Sequence, residues 1–301
     1  MFLGENLLRI DAGKTITRIV EFIRNEYAEF GRKGIVVPLS GGLDSSVVAA
    51  LCVKAVGSSQ VIGLMLPERQ GNPAAQKYAK KLVSVLGIKT RTLSISRALF
   101  SLGAYRFVLS FFPAKRLRDY LARRYMESTG ENVLIDSIRG SASSLRRKAR
   151  AVINLKQRVR LVVLYKYAEE NNLLVVGSAN LSEDLVGLFV KFGIDDEADL
   201  MPLKNLFRTQ ILQLGEYLEL PAEILERPPN PDVIPGVEDK YLDMLGIPSG
   251  TVDLILYGIT NGMSVEEIAV QLQVDRGKVE DVRKLVHLSE QMRFHSLAPV
   301  L

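Results

Sequence analysis

Of the side chains most used to cross-link, ligate or react, this chain has few: one Cys, two His and no Trp among 301 residues. A lone Cys52 can form neither an internal disulfide nor a thiolate zinc site, which points to a cytosolic compartment. His287 and His295 both fall near the C-terminal end and are too few for a histidine-rich metal centre. No apolar run is long enough to span a bilayer. The opening "MFLGENLLRIDAG" lacks the basic n-region and cleavage site of a secretory signal. There is no internal repeat and no Walker string G-x-x-x-x-G-K-[ST]. What remains, at 47% hydrophobic and 24% charged, suits one large globular domain or a domain with a smaller annex.

The formal net charge of +5 is unevenly spread. Residues 113–160 carry 13 Lys/Arg against 4 Asp/Glu, so the remainder is mildly acidic. Such a block can bind nucleic acid or small phosphates, or serve as a solvated helical face.

Hydrophobic periodicity predicts a helix over 15–31, with Ile16, Ile19, Val20, Ile23 and Tyr27 on one side. "GIVVPLS" reads as a short buried strand and Ser45 to Ala55 as a helix. "QVIGLMLP" is a second strand, "PAAQKYAKKLVSVLG" a helix stopped by Gly87, and "IKTRTLSI" a third strand. Strand and helix thus alternate over 34–95, the pattern of a parallel sheet with crossovers. A long helix over 154–172 leads to the strand "LLVVGSAN", and "TQILQLGEYLEL" is a further helix. The predicted fold is α/β, Rossmann-like, with helices on both faces of a parallel sheet and a small helical C-terminal extension. Residues 1–226 read as the catalytic domain, with a basic insertion at about 97–150. Residues 227–301 read as a Pro-rich loop, ordered by what it covers, and short helices packed on the domain. "GSASSLRRKAR", before the long helix, reads as mobile.

The chemistry concentrates in "SGGLDSS", Ser40 to Ser46, between the first strand and its helix. Ligands of parallel sheets sit beyond the carboxyl ends of the strands. Gly41 and Gly42 let the backbone approach a ligand and turn its N–H groups inward. Ser40, Ser45 and Ser46 add hydroxyls around Leu43, and the N-terminus of the helix that follows favours an anion. A carboxylate, Asp44, inside a phosphate cradle requires a cation, and Mg²⁺ prefers one or two carboxylates plus phosphate oxygens. Cys52, inside the apolar helix that follows, reads as core.

"SGGLDSS" resembles the signature loop of the N-type ATP pyrophosphatases, the adenine nucleotide alpha hydrolase-like enzymes that split ATP between its α and β phosphates. The order of the later motifs is most similar to that of the ammonia-using NAD synthetases. The resemblance implies ATP bound at Ser40–Ser46, with Mg²⁺ on Asp44. "NLKQRVR" resembles the family's Asn-x-x-x-Arg-x-Arg helix, which makes Arg158 a ligand of deamido-NAD. "VVGSANLSE" resembles a strand-end motif, placing Ser178 near ATP and Glu183 on the metal. "GLFVKFG" puts Lys191, and "DEADLMPLKNLFRTQ" puts Asp199, at the substrate, with Lys191 also catalytic in that it and Arg158 stabilise developing charge. Arg208 stands where the family has an ATP-binding lysine, and Asn230 in "RPPNPDV" where a threonine contacts phosphate. "LSEQMRFHSLAP" resembles the closing segment, with Gln291 and Met292 in place of His-Lys. "FGIDDEAD" has one residue more than the family's loop, so Asp195 and Asp196 are rival candidates for positioning and deprotonating ammonia.

The implied reaction adenylates the carboxylate of deamido-NAD, after which ammonia displaces AMP to give NAD. A carboxylate alone would have to expel oxide; adenylation supplies AMP as a leaving group. The resemblance also implies a homodimer. The chain leaves no room for a glutaminase, so ammonia is free or comes from a separate partner. A rival reading keeps adenylation and amidates or thiolates another acceptor, RNA included. A second follows from "GMSVEEIAVQLQVDRGKVEDVRKLV", which has a helix–turn–helix rhythm. Arg276, Lys278, Arg283 and Lys284 offer charge to DNA, but Asp275, Glu280 and Asp281 oppose it. A helical bundle closing the catalytic domain is the preferred reading of that stretch.

Overall fold

A computed structural model describes residues 2–106, 117, 119, 120, 122–124, 132–140, 143–231 and 233–294. Four strands form one parallel sheet: β1 (Gly34–Pro38), β2 (Val61–Met65), β3 (Lys89–Thr92) and β4 (Leu173–Val175). Their order is β3-β2-β1-β4. In register, Val36 faces Ile62 on one side and Val175 on the other. β1 is central and almost wholly buried, as its unbroken apolar run requires. β3, "KTRT", is an edge strand with every residue exposed, where charge discourages further pairing.

Both faces are covered. Helices α1 (Ala12–Phe30), α2 (Leu43–Val56), α3 (Pro73–Leu86) and α8 (Arg208–Tyr217) pack one face around Ile23, Val47, Leu51, Leu82 and Ile211. Helices α4 (Ser96–Ser101) and α6 (Ser144–Asn171) cover the other around Leu64, Leu99 and Leu164. α2 has almost no polar side because it lies between sheet and helices; even Ser45, Ser46 and Cys52 are buried in it. Burial also pushes the Cys52 thiol upward, so it stays protonated in the core.

The remaining elements are α5 (Val133–Arg139), α7 (Leu181–Val186), α9 (Ala222–Leu225), α10 (Lys240–Leu245), α11 (Ser249–Thr260), α12 (Val265–Leu272) and α13 (Arg276–Arg293). The C-terminal helices share a core with Leu134, Val186 and Phe207, centred on Ile255, Ile268, Val282 and Leu285. The helix–turn–helix rhythm becomes α12 and α13, but α13's basic residues are engaged. Arg276 pairs with Glu266, Arg283 with Glu280 and Lys284 with Asp281. Lys278 Nζ donates to Gly246 O at 2.7 Å.

One expectation fails within the described residues. "SLRRKAR" is the first part of α6, which begins ten residues earlier than the apolar pattern suggests. Ser143 caps it by accepting from Arg146 N, and Asp136 of α5 neutralises Arg146 at 2.7 Å. Residues 113–116, 118, 121, 125–131, 141 and 142 of the basic block, Asp232 and the closing segment beyond 294 lie outside the described residues.

Leu51 is fully buried where α2 meets the sheet. Leu51→Ala is expected to lower the unfolding free energy by about 2–5 kcal/mol, measured by urea denaturation.

Candidate active site

β1 ends against the amino end of α2, and the turn between them is shaped by Gly41. Its φ is +70°, and a Cβ there would sit 2.3 Å from Ala75 O. Only glycine satisfies both constraints, so α3 can press on the turn. The hydroxyls tie the turn together. Ser46 Oγ donates to Gly42 O at 2.7 Å, Ser45 Oγ to the same oxygen at 3.2 Å, and Gly42 N donates to Ser40 Oγ at 3.2 Å. Arg227 closes over the turn: its guanidinium lies 5.2 Å from the Tyr78 ring and donates to Ser40 O.

The turn opens into a cavity of about 1250 Å³ beyond the carboxyl ends of the strands. Ser40, Gly42, Leu43, Asp44, Ser45, Arg158, Ser178, Glu183, Lys191, Asp195, Arg208 and Asn230 all line it. Gly41, Ser46, Asp196 and Asp199 do not; each shapes a neighbour instead. Asp199 accepts from Val175 N at 2.8 Å and Tyr165 Oη at 3.1 Å, finishing the end of β4. Asp196 accepts from Phe192 N at 2.8 Å and so holds a residue whose φ is +60°.

Asp44 and Glu183 come from two helix starts and stand 139 positions apart, yet one amide holds both. Asn180 Nδ2 donates to Asp44 Oδ1 at 3.2 Å and to Glu183 Oε1 at 2.9 Å. Two cations complete the cluster: Arg208 Nη1 lies 3.2 Å from Asp44 Oδ2, and Lys240 Nζ is ion-paired with Glu183 Oε1. Burial pushes the Asp44 carboxyl up, Arg208 pulls it back, and Glu183 adds repulsion. Tyr241, beneath Lys240, is fully buried and its hydroxyl has no hydrogen-bond partner. It feels the charges of Glu183, Asp253, Arg208 and Asp44.

These groups fit Mg²⁺. Two hard carboxylates, both lining the cavity, meet at a phosphate-type turn. Among the described residues no third His, Cys, Asp or Glu joins them, which suits an ion that takes its other ligands from phosphate and water.

Asp195 marks the other wall. Its Oδ2 accepts from Gln157 Nε2 and Val190 N, both at 3.3 Å, while its buried Oδ1 has no partner. Burial, outweighing the bonds from backbone and Gln157, pushes this carboxyl up to about 6. Nearby, the Arg158 guanidinium donates twice to Lys191 O and so fixes the lysine's loop. Lys191 Nζ reaches Gln291 O at 3.5 Å.

Sequence reasoning missed four groups: Asn180, Lys240, Asp253 and the Glu68–Lys156 pair. Asn180 lies within the quoted "GSANLSE" and was open to a capping argument, since its side chain also accepts from Glu183 N. Glu68 and Lys156 meet at 2.6 Å at the cavity edge, and Tyr105 Oη donates to Glu68 at 2.9 Å. Burial would raise the Glu68 carboxyl, but the Lys156 ammonium prevails and holds it low. Asp253, on α11, is wholly buried. It accepts from Ser182 Oγ at 2.6 Å, Thr209 N at 2.8 Å and Thr209 Oγ1 at 2.6 Å. Ser182 Oγ in turn accepts from Arg208 N at 2.9 Å. A carboxylate from the C-terminal bundle therefore caps the helix that begins at Arg208.

Asp253→Ala strands these donors and is expected to cost about 3 kcal/mol or more. Turnover should fall with it, because the backbone of Arg208 loses its support. Asp253→Asn, which keeps one acceptor oxygen, should recover part of both. Urea denaturation and steady-state kinetics together check this.

The sequence profile of the NAD synthase family matches residues 15–107 and 120–295. The NH(3)-dependent NAD(+) synthetase of Coprothermobacter proteolyticus is 37% identical over 258 residues, covering 83% of this chain and 86% of that protein. That of Thermotoga neapolitana is 35% identical over 283 residues, covering 91% and 92%. Among solved structures, the NMN synthetase of Francisella tularensis superposes with a TM-score of 0.71 at 25% identity, covering 97% of this chain and all of that one.

Proposed function

The chain belongs to the NAD synthase family, and from that premise we propose how its residues divide the work of an ammonia-dependent synthesis of NAD. The enzyme is an ATP-dependent carbon–nitrogen ligase that converts deamido-NAD to NAD, with release of AMP and pyrophosphate. The observation that carries the division of labour is that one cavity joins the "SGGLDSS" turn, the Asp44–Glu183 pair and Asp195, whose free oxygen is buried.

ATP lies on the turn, its phosphates against the N–H groups at the start of α2, from Leu43 onward. Ser178, Arg208 and Asn230 face it from the other side. Asp44 and Glu183 hold Mg²⁺, which when bound neutralises phosphate charge and favours pyrophosphate as leaving group. An oxygen of the deamido-NAD carboxylate attacks the α-phosphorus, the bond to the β-phosphate oxygen breaks, and pyrophosphate departs. Ammonia then attacks the carbonyl carbon of the adenylate, and AMP leaves with the carbon–oxygen bonding pair. The surplus ammonia proton passes to Asp195, whose unpartnered Oδ1 is the acceptor, while Asp196 holds the loop. A carboxyl raised to about 6 is both ionised near neutral pH and basic enough for this task. Arg158 and Lys191 hold the acceptor, with Asp199 supporting their side from behind β4.

We infer a homodimer in the cytoplasm. Phe100 on α4, Leu102 just after it and Val162 on α6 are large, well-exposed apolar side chains, and the two helices pack together. Free ammonia, or ammonia from a separate glutaminase, is the nitrogen source, since Cys52 is buried and cannot act as a glutaminase nucleophile.

With ATP, Mg²⁺, ammonium and deamido-NAD, the purified protein should produce NAD, AMP and pyrophosphate. Glutamine alone should not replace ammonium. The corresponding acid mononucleotide, run in parallel, tests the acceptor: a larger kcat/KM with it than with the dinucleotide would reassign the substrate. Asp44→Asn and Glu183→Gln should each lower turnover by at least about 100-fold, and the double variant should add little to either, because the two share one site.

The pH dependence separates Asp195 from ammonia. Turnover should rise through about pH 6 as Asp195 ionises, and rise again as NH₃ replaces NH₄⁺. Asp195→Asn should lose the lower limb. Its carboxyl is raised in the folded state, so the stability it contributes is present below its ordinary value and lost as pH rises through about 6. The variant should therefore match or exceed the wild-type Tm at pH 8 while making little NAD. A variant that keeps the limb near 6 would transfer the role to Asp196.

A further inference from the structure

We propose that Lys240 is a catalytic cation that changes partners: it holds Glu183 in the metal-free enzyme and moves onto the phosphates of ATP when Glu183 turns to a divalent ion. The proposal rests on the reading of Glu183 as a metal ligand, and its test includes a separate check of that reading.

The geometry starts from the backbone. Lys240 is the first residue of α10 and lines the cavity. Its N–H donates to Pro229 O at 3.0 Å, in the Pro-rich segment that also carries Asn230. Asp239 caps the helix by accepting from Tyr241 N and Leu242 N at 2.9 and 3.0 Å. The main chain is thus pinned on both sides, and only the four-carbon stem can travel. Nζ stands 5.8 Å from the centroid of the Tyr241 ring, an aromatic surface along which an ammonium can shift.

The charges supply the motive. Lys240 and Glu183 side chains are 12% and 14% exposed. Glu183 Oε1 accepts from both Lys240 and Asn180, so it cannot offer that oxygen to a cation unless one donor withdraws. Asn180 is buried and also holds Asp44 and Glu183 N, which leaves Lys240 as the donor able to go. The corresponding pair on the other carboxylate is built differently. Arg208 is a planar fork with Nη1 on Asp44 Oδ2 at 3.2 Å. Lys is a compact charge on a flexible stem. One cation therefore stays with its carboxylate and the other is free to follow the triphosphate. A withdrawn ammonium, still in the cavity, finds its new counter-charge on the phosphates, where it would stabilise the departing pyrophosphate.

Removing the ammonium leaves Glu183 partly buried and unpaired, which favours capture of a metal ion. A merely structural ion pair would share this outcome but not the loss of turnover below. The full-length protein without nucleotide is titrated with Mn²⁺, followed by electron paramagnetic resonance of the free ion. Wild type should bind weakly, Glu183→Gln should not bind, and Lys240→Met should bind roughly 10-fold tighter or more. In ATP–pyrophosphate exchange, Lys240→Met should lose about 100-fold or more in kcat, and Lys240→Arg should restore part of it. Met keeps the stem's length and packing; Lys240→Gln serves should Met not fold. Unchanged Mn²⁺ affinity in the folded Met or Gln variant overturns the exchange of partners. Tighter Mn²⁺ binding with undiminished kcat overturns the contact with phosphate. Equal Mn²⁺ binding by wild type and Glu183→Gln removes Glu183 from the metal site, and the proposal with it.

Discussion

Two carboxylates, Asp44 and Glu183, meet in one cavity and repel one another, and this site is arranged around that conflict. Asn180 spans Asp44 and Glu183 with one amide group, and its own side-chain oxygen accepts from Glu183 N. An amide is neutral, so it fixes the spacing without consuming the charge that a metal needs. Arg208 and Lys240 then balance the pair. Removing either cation without a replacement would leave a partly buried charge uncompensated, a larger loss than the pair itself contributes. The cluster is therefore stable when filled by side chains and ready to exchange one of them.

That balance reaches far beyond the cavity. Arg208 begins α8, and the start of α8 is capped by Asp253 directly at Thr209 and through Ser182 at Arg208. Asp253 belongs to α11, whose other side lies in the core shared with α12 and α13. Burial pushes the Asp253 carboxyl up against the bonds from Ser182 and Thr209, so the cap is maintained at some electrostatic cost. The C-terminal helices thus set the angle of an arginine that meets the phosphate loop. Their basic residues are spent on neighbouring acids and a carbonyl, which agrees with a supporting bundle rather than a surface that reads DNA.

How much could be read in advance follows the same division between local and distant. The strand–turn–helix from Gly34 to Val56 was legible because its logic is contained within it: an apolar run, a positive-φ glycine and a hydroxyl-rich helix start. The later site residues were legible only through resemblance, since Asp44 and Glu183 meet across 139 positions that no periodicity links. Lys240 and Asp253 were not legible at all. They contact partners 57 and 71 residues away, and each sits in an unremarkable helical context. The start of α6 was misread for a related reason. Clustered arginines look unstable alone, and the carboxylate that offsets one of them, Asp136, belongs to another helix.

Asp195 and Asp196 show why adjacent candidates had to wait for three dimensions. Both are carboxylates in one turn, and the extra residue in "FGIDDEAD" blurs which corresponds to the family's aspartate. Folding separates them by what each already holds. Asp196 accepts from Phe192 N and keeps a strained residue in place, so its oxygen is committed. Asp195 accepts two long bonds on one oxygen and leaves the other bare inside the cavity wall. A buried oxygen without a donor is costly, and the protein tolerates that cost where a substrate can relieve it. Ammonia has hydrogens to give to such an oxygen and a lone pair to direct elsewhere. In the reaction we propose, the burial that raises this carboxyl and the unpartnered oxygen that receives ammonia belong to one turn, so basicity and position arise together.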